Sequence, residues 1–153
     1  MKKYVIALGA AALMLSGCGG TDASAEGFSI DGTFTGTAQS VNESGQSCQF
    51  YDGWFRAGLP VVLKGADGTI LGKSELTVRD IAANPGGGGI CSFNFSFKDV
   101  KAGESAYELQ IADLAPIVQS ESDLREWPNY KARNAIDVVG GDTAQVKQNP
   151  RPR

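Results

Sequence analysis

The segment Ile90 to Val100 constrains this chain more than any other. Cys91, Phe93, Phe95 and Phe97 alternate there with Ser92, Asn94, Ser96 and Lys98. A strand turns successive side chains to opposite faces, so this run lays one face on an apolar core and the other in water. A helix of 3.6 residues per turn would scatter the same apolar residues around its circumference. The period of two recurs at Phe28, Ile30, Gly32 and Phe34, which alternate with Ser29, Asp31, Thr33 and Thr35. Lys101 to Glu104 turns the chain, and Tyr107, Leu109 and Ile111 continue the inward set. Pro60 to Lys64 and Thr69 to Leu76 flank Asp67-Gly68, a strong hairpin signal. Ile136 to Val139 offers a final strand. The one helix candidate is short: Ser120 or Ser122 caps a turn running to Glu126, with Leu124 and Trp127 on its inner face, and Pro128 stops it. This pattern predicts an all-β fold, an antiparallel β-sandwich with one short helix.

The two ends stand outside that pattern. Lys2 and Lys3 precede an uncharged, mostly apolar stretch from Val5 to Leu15, too short to span a bilayer as a helix. It closes on Leu15-Ser16-Gly17-Cys18, followed by Gly19-Gly20. This segment resembles the lipobox leader of bacterial lipoproteins: an aliphatic residue, two small residues, then cysteine. The resemblance implies export, cleavage before Cys18 and acylation of the Cys18 thiol. It places the protein on the extracytoplasmic face of a bacterial cell membrane. At about 0.8 kcal/mol per buried methylene, two acyl chains retain a protein on a bilayer where one does not. Residues 1–17 then form the signal peptide and 18–27 a flexible tether. Fully extended, the tether reaches at most about 30 Å. The sandwich occupies 28–140, and 141–153, with its prolines and basic residues, reads as a disordered tail.

With Cys18 given to the lipid, Cys48 and Cys91 remain, and an even pair in an exported chain implies a disulfide. Closing so long a loop contributes about 4 kcal/mol in the chain-entropy view. Their wide spacing, with no Cys-x-x-Cys, argues against a metal-binding or redox-active pair. The chain has 153 residues, enough for one domain and too few for two. It contains no histidine, which removes the usual general base and the commonest transition-metal ligand. Its 14 basic and 17 acidic residues give a formal net charge of −3, and losing Lys2 and Lys3 with the leader makes the balance more acidic. Such a surface does not grip nucleic acid or anionic headgroups by charge.

A second resemblance rests on two stretches. The first is Gly58 to Leu76, with Val61, Val62, Leu63, Asp67-Gly68 and Ile70-Leu71-Gly72. The second is Cys91 to Phe97 with Asp99-Val100, Tyr107 and Ser122-Asp123-Leu124. Together they resemble small transthyretin-like or immunoglobulin-like sandwich domains of actinobacterial membrane-attached proteins. The resemblance implies a fold and carries no catalytic residue across.

Motifs that would carry chemistry are mostly incomplete. Gly72-Lys73-Ser74 ends like a phosphate-binding loop, but the glycine needed five positions earlier is Asp67, and the segment begins a return strand. Gly86 to Gly89 exposes amides to an anion or, more simply, forms a mobile hairpin loop. Asp31, Asp52, Asp67, Asp80 and Asp99 are scattered at turns without a calcium-loop spacing. No cofactor or metal site emerges. The aromatic clusters Phe50-Tyr51-Asp52-Gly53-Trp54-Phe55 and Trp127-Pro128-Asn129-Tyr130 remain. A core reading buries Phe50, Trp54 and Trp127 and leaves Tyr51 and Phe55 at the sandwich edge. A binding reading exposes Tyr51, Trp54 and Tyr130 together, with Asp52-Gly53 turning the first two outward. The function expected is a non-enzymatic, lipid-anchored module that binds a protein, glycan or envelope component. An accessory or inhibitory subunit of a membrane complex, and a small exported hydrolase working without histidine, are the alternatives.

The leader generates a direct expectation. Cys18→Ala should yield an unprocessed precursor that lacks the lipid mass, read by intact-mass analysis and membrane fractionation. Normal cleavage with full membrane retention in that variant would exclude the lipid anchor.

Overall fold

The computed structural model describes residues 27–133 and the backbone of Val146–Gln148. The leader with Cys18, nearly all of the tether and the strand expected at Ile136 to Val139 lie outside the described residues. The fold is an all-β sandwich with one short helix. Its central pair is β1 (Phe28–Ala38) and β8 (Gly89–Val100), antiparallel from Ile30 opposite Phe97 to Ala38 opposite Gly89. The register slips between Phe28 and Ile30, where β8 carries one extra residue. Asp99, at φ +54°, takes the left-handed conformation that such a bulge requires.

Around that pair the first sheet runs β12-β11-β1-β8-β7. Its outer members are β7 (Thr77–Ala83), β11 (Asn129–Ala132) and β12 (Val146–Gln148). Two smaller sheets form the facing layer. One is β10-β9-β5-β6, built from β5 (Pro60–Gly65), β6 (Ile70–Glu75), β9 (Tyr107–Ile111) and β10 (Ile117–Gln119). The other is β2-β3-β4, built from β2 (Ser40–Asn42), β3 (Ser47–Phe50) and β4 (Gly53–Arg56). The hairpin expected around Asp67-Gly68 is β5–β6, with Asp67 Oδ1 accepting from the Thr69 amide at 2.9 Å.

The inward stripe falls as the alternation predicts: Cys91, Phe93, Phe95 and Phe97 are all buried, and Tyr107, Leu109 and Ile111 are buried on β9. Opposite three phenylalanines the chain places glycine. A Cβ on Gly32 would stand 2.1 Å from Phe95 Cζ, one on Gly36 2.9 Å from Phe50 Cε1, and one on Gly72 2.6 Å from Phe97 Cδ1. Each ring therefore occupies the volume that a neighbouring strand leaves empty, which is how a core of large aromatics reaches close packing. Phe34, Phe50 and Phe55 form an aromatic cluster with ring centroids 4.9–5.5 Å apart.

Two sheets share one length of chain. β6 pairs with β5, then the backbone bends at buried Leu76 and β7 pairs with β8. The bend is held by the Leu76 amide donating to the Leu59 carbonyl and the Gly58 amide donating to the Leu76 carbonyl. Such sheet-switching corners close a sandwich without a long loop.

The helix α1 (Glu121–Glu126) is capped by Ser120, whose side chain accepts from the Asp123 amide while Asp123 caps in return. Leu124 is fully buried, and Trp127 is only half-buried. The Phe28 end of the sandwich is tied to this helix. Arg125 lies 4.1 Å above the Phe28 ring, and Glu121 accepts from the Gly103 amide and from Tyr107 Oη. Those donors, together with Arg125, hold the Glu121 carboxyl below its ordinary range, the Gly103 amide contributing most.

Two features depart from the sequence expectation. The sheet is not wholly antiparallel, because β11 runs parallel to β1 with Phe34 opposite Tyr130. Within 141–153, expected to be disordered, Val146–Gln148 pairs with β11 as an edge strand. Its pairing uses backbone groups and needs no apolar alternation, so no pattern announced it.

The core stripe is testable. Phe95→Ala should cost about 3–5 kcal/mol, as a large buried ring is lost over a glycine that cannot fill the gap. Asn94→Ala and Ser96→Ala, on the solvent face, should each stay within about 0.5 kcal/mol. Urea denaturation of the three variants separates the faces.

Candidate functional site

The β3–β4 hairpin is where exposed aromatic chemistry gathers. Residues directly opposite on antiparallel strands point to the same face. Cys48 pairs with Phe55, Gln49 with Trp54, and Phe50 with Gly53. Cys48 is bonded to Cys91 on β8, with Cα atoms 6.6 Å apart, so it must face the core. That bond fixes the phase of the hairpin: Cys48, Phe50 and Phe55 point in, and Trp54 points out.

The loop completes the arrangement. Tyr51 and Asp52 make the turn, and Gly53 at φ +129° adopts a conformation that residues with a side chain rarely take. Tyr51 is 45% exposed and Trp54 51%. Asp52 turns back, its side chain only 5% exposed, and pairs with Arg133 at 2.6 Å. The Arg133 guanidinium also lies 4.8 Å from the Tyr51 ring centroid. A buried pair and a cation–π contact therefore hold the tyrosine from below. Asp52 Oδ2 and Arg133 Nε are enclosed and have no hydrogen-bond partner among the described residues.

Beside the turn end of the hairpin lies a cleft of about 160 Å³. Trp54 forms one wall, Asp52 and Gly53 adjoin it, and Leu59, Ala112, Asp113 and Leu114 line the rest. Ala112 sits at φ +49°, with its amide donating to the Pro60 carbonyl at 2.7 Å. Alanine takes that conformation rarely, and the hydrogen bond to Pro60 holds the turn that carries Asp113 against β5.

The sequence reading placed Tyr51, Trp54 and Tyr130 on one edge, and the structure separates them. Tyr51 and Trp54 share the exposed hairpin. Tyr130 is completely buried, 6.0 Å from Phe95 between ring centroids, because β11 inserts beside β1 and turns it inward. Burial, aided by the Asp123 charge, pushes its phenol well above the ordinary tyrosine range. The competing core reading inverted the hairpin: it buried Trp54 and exposed Phe55, whereas Phe55 is buried and Trp54 is not. Arg133, Leu59, Asp113 and Leu114 escaped the sequence reading, since each reaches the hairpin only through tertiary contact.

Other places offer less. A larger groove of about 600 Å³ crosses the outer face of β1 and β8 and includes Asp31, Thr33, Ser74, Thr77 and Asn94. Its hydroxyls serve the fold: Thr33 bonds Asn129, Thr77 donates to the Asn94 carbonyl, and Ser74 accepts from the Ser96 amide. With no exposed aromatic or cation along it, the groove gives water little reason to leave. Gly86 to Gly89 belongs to a closed turn, in which the Gly87 amide donates to Asn84 and the Asn84 amide to Gly88. Lys73 and Ser74 lie on β6, paired with β5, far from the strand-to-helix geometry of a phosphate loop.

Arg133→Ala should destabilise the fold by about 3 kcal/mol, because it strands the buried Asp52 carboxylate. In an Asp52→Asn background the same change should cost distinctly less, and a double-mutant cycle in urea reads the difference. Equal costs in the two backgrounds would mean that the pair is not coupled.

Comparison of the chain with protein-family models, with curated proteins and with solved structures returns no match.

Proposed function

We propose that this protein is a lipid-anchored, extracytoplasmic β-sandwich module that binds a protein, glycan or envelope component through the β3–β4 hairpin and performs no catalysis of its own. The observation that carries the reading is the pairing of exposure with restraint. Tyr51 and Trp54 stand in solvent on a tight hairpin that a disulfide, an ion pair and a cation–π contact restrain. Single exposed apolar residues are ordinary. Rigid aromatic side chains are different, since they lose little entropy on binding and dominate interface energetics.

The position of the hairpin supports the anchored arrangement. The tether joins the sandwich at Phe28, whereas the hairpin packs on Gly36 through Phe50. Eight residues of strand separate these levels, about 26 Å at roughly 3.3 Å per residue. A chain held to the bilayer through Cys18 would thus carry its aromatic turn on the end remote from the membrane.

The test is a pull-down from detergent-solubilised membranes with three forms of the full chain: wild type, Trp54→Ala and Val118→Ala. Val118 is 65% exposed on β10 and serves as an apolar control away from the hairpin. Trp54→Ala should reduce recovery of the bound component at least tenfold with no change in melting temperature, and Val118→Ala should leave recovery intact. Equal recovery with all three rejects the hairpin as the contact.

A further inference from the structure

We propose that the cleft beside Trp54 receives one pyranose ring of a neutral saccharide, the indole lying against the ring face and the Asp113 carboxylate accepting hydrogen bonds from ring hydroxyls. The inference rests on the hairpin being the contact surface and specifies what it contacts.

Size comes first. Pockets for drug-sized ligands occupy about 300–1,000 Å³. At about 160 Å³ this cleft is too small for such a molecule and is on the scale of a single sugar ring. It is also concave, whereas a protein partner of standard size needs a broad contact of about 800 Å² on each side.

The chemistry of the walls is equally selective. Trp54, Leu59, Leu114 and Ala112 bring apolar groups to the lining, beside the carboxylates of Asp52 and Asp113, so the cleft is amphipathic. The C–H face of a pyranose matches such a surface. The charged groups present are acceptors only. Asp113 makes no ion pair or side-chain hydrogen bond among the described residues, and no basic side chain lines the cleft. Arg133, the nearby cation, is occupied by Asp52 and the Tyr51 ring. A ligand therefore has to bring donors and carry no negative charge, and a ring bearing several hydroxyls meets both demands.

A second observation points the same way. Asp52 borders the cleft, and its Oδ1 pairs with Arg133, so the nearby cation is neutralised and does not face a ligand. The ion pair fixes Asp52, and the Ala112 amide, donating to the Pro60 carbonyl, ties down the turn that carries Asp113. The acceptors are held ready before any ligand arrives.

The experiment is a titration of the full chain in detergent with soluble neutral oligosaccharides (glucan, mannan, galactan and chitin oligomers of four to six units), read by tryptophan fluorescence. At least one series should shift the emission. With binding read by isothermal titration calorimetry, Trp54→Ala should abolish it, and Asp113→Asn should weaken it about tenfold. Asp67→Asn, on the remote β5–β6 turn, should change nothing. A silent panel, or binding in Trp54→Ala or Asp113→Asn as tight as in wild type, overturns the saccharide assignment. If a Trp54-dependent protein is still recovered by pull-down, the hairpin stands as a protein contact and only the ligand class falls; if that recovery fails too, both readings fall.

Discussion

The fit of Phe95 over Gly32 is the contact on which the rest of the sandwich depends. These residues lie directly opposite on the central strands, and the ring occupies the space where a side chain on β1 would be. Because Phe95 lies down across β1, Tyr130 on the adjacent β11 finds a surface to pack against. The same exchange of ring for hydrogen recurs at Phe97 over Gly72, which joins the two principal sheets, and at Phe50 over Gly36, which seats the small third sheet. In each case a bulky residue on one strand is matched by the absence of one on its neighbour. Volume, and not hydrophobicity alone, thereby fixes how the layers register.

The exposed hairpin inherits its orientation from that core. Cys91 continues the inward stripe of β8, the disulfide forces Cys48 inward, and strand pairing then forces Phe55 inward and Trp54 outward. A one-residue shift in β3 would exchange the buried and exposed aromatics as a set. The covalent bond thus does more than restrict the unfolded chain: it selects which face of a short strand meets solvent.

What the sequence made legible was local or strongly periodic. The Phe93, Phe95 and Phe97 stripe and the Asp67-Gly68 hairpin are each written in a few neighbouring residues and stand as read, the helix cap falls on Ser120 of the two serines offered, and the cysteine pair followed from counting alone. Alternation across Phe50 to Phe55 showed that the aromatics must divide between two faces, but not which division holds, since the phase comes from Cys91, 43 positions beyond Cys48. Tyr130 looked like an edge residue because nothing nearby reveals that β11 runs parallel to β1 and inserts beside it. The cleft was illegible for the same reason: Asp113 and Arg133 meet Trp54 and Asp52 only when three separate segments fold together.

The parallel pairing of β11 with β1 also has a mechanical meaning. β1 is gripped on both sides, antiparallel by β8 over nearly its whole length and parallel by β11 at Thr33 to Thr35. A pull on residue 27 along the strand would load these hydrogen bonds sideways and together, because strand-to-strand bonds lie across the direction of the chain. Bonds loaded in that manner share the force, whereas a hairpin opened from its end gives them up one after another. A strand gripped on both sides in this way resists a pull along its own length better than a strand at the edge of a sheet.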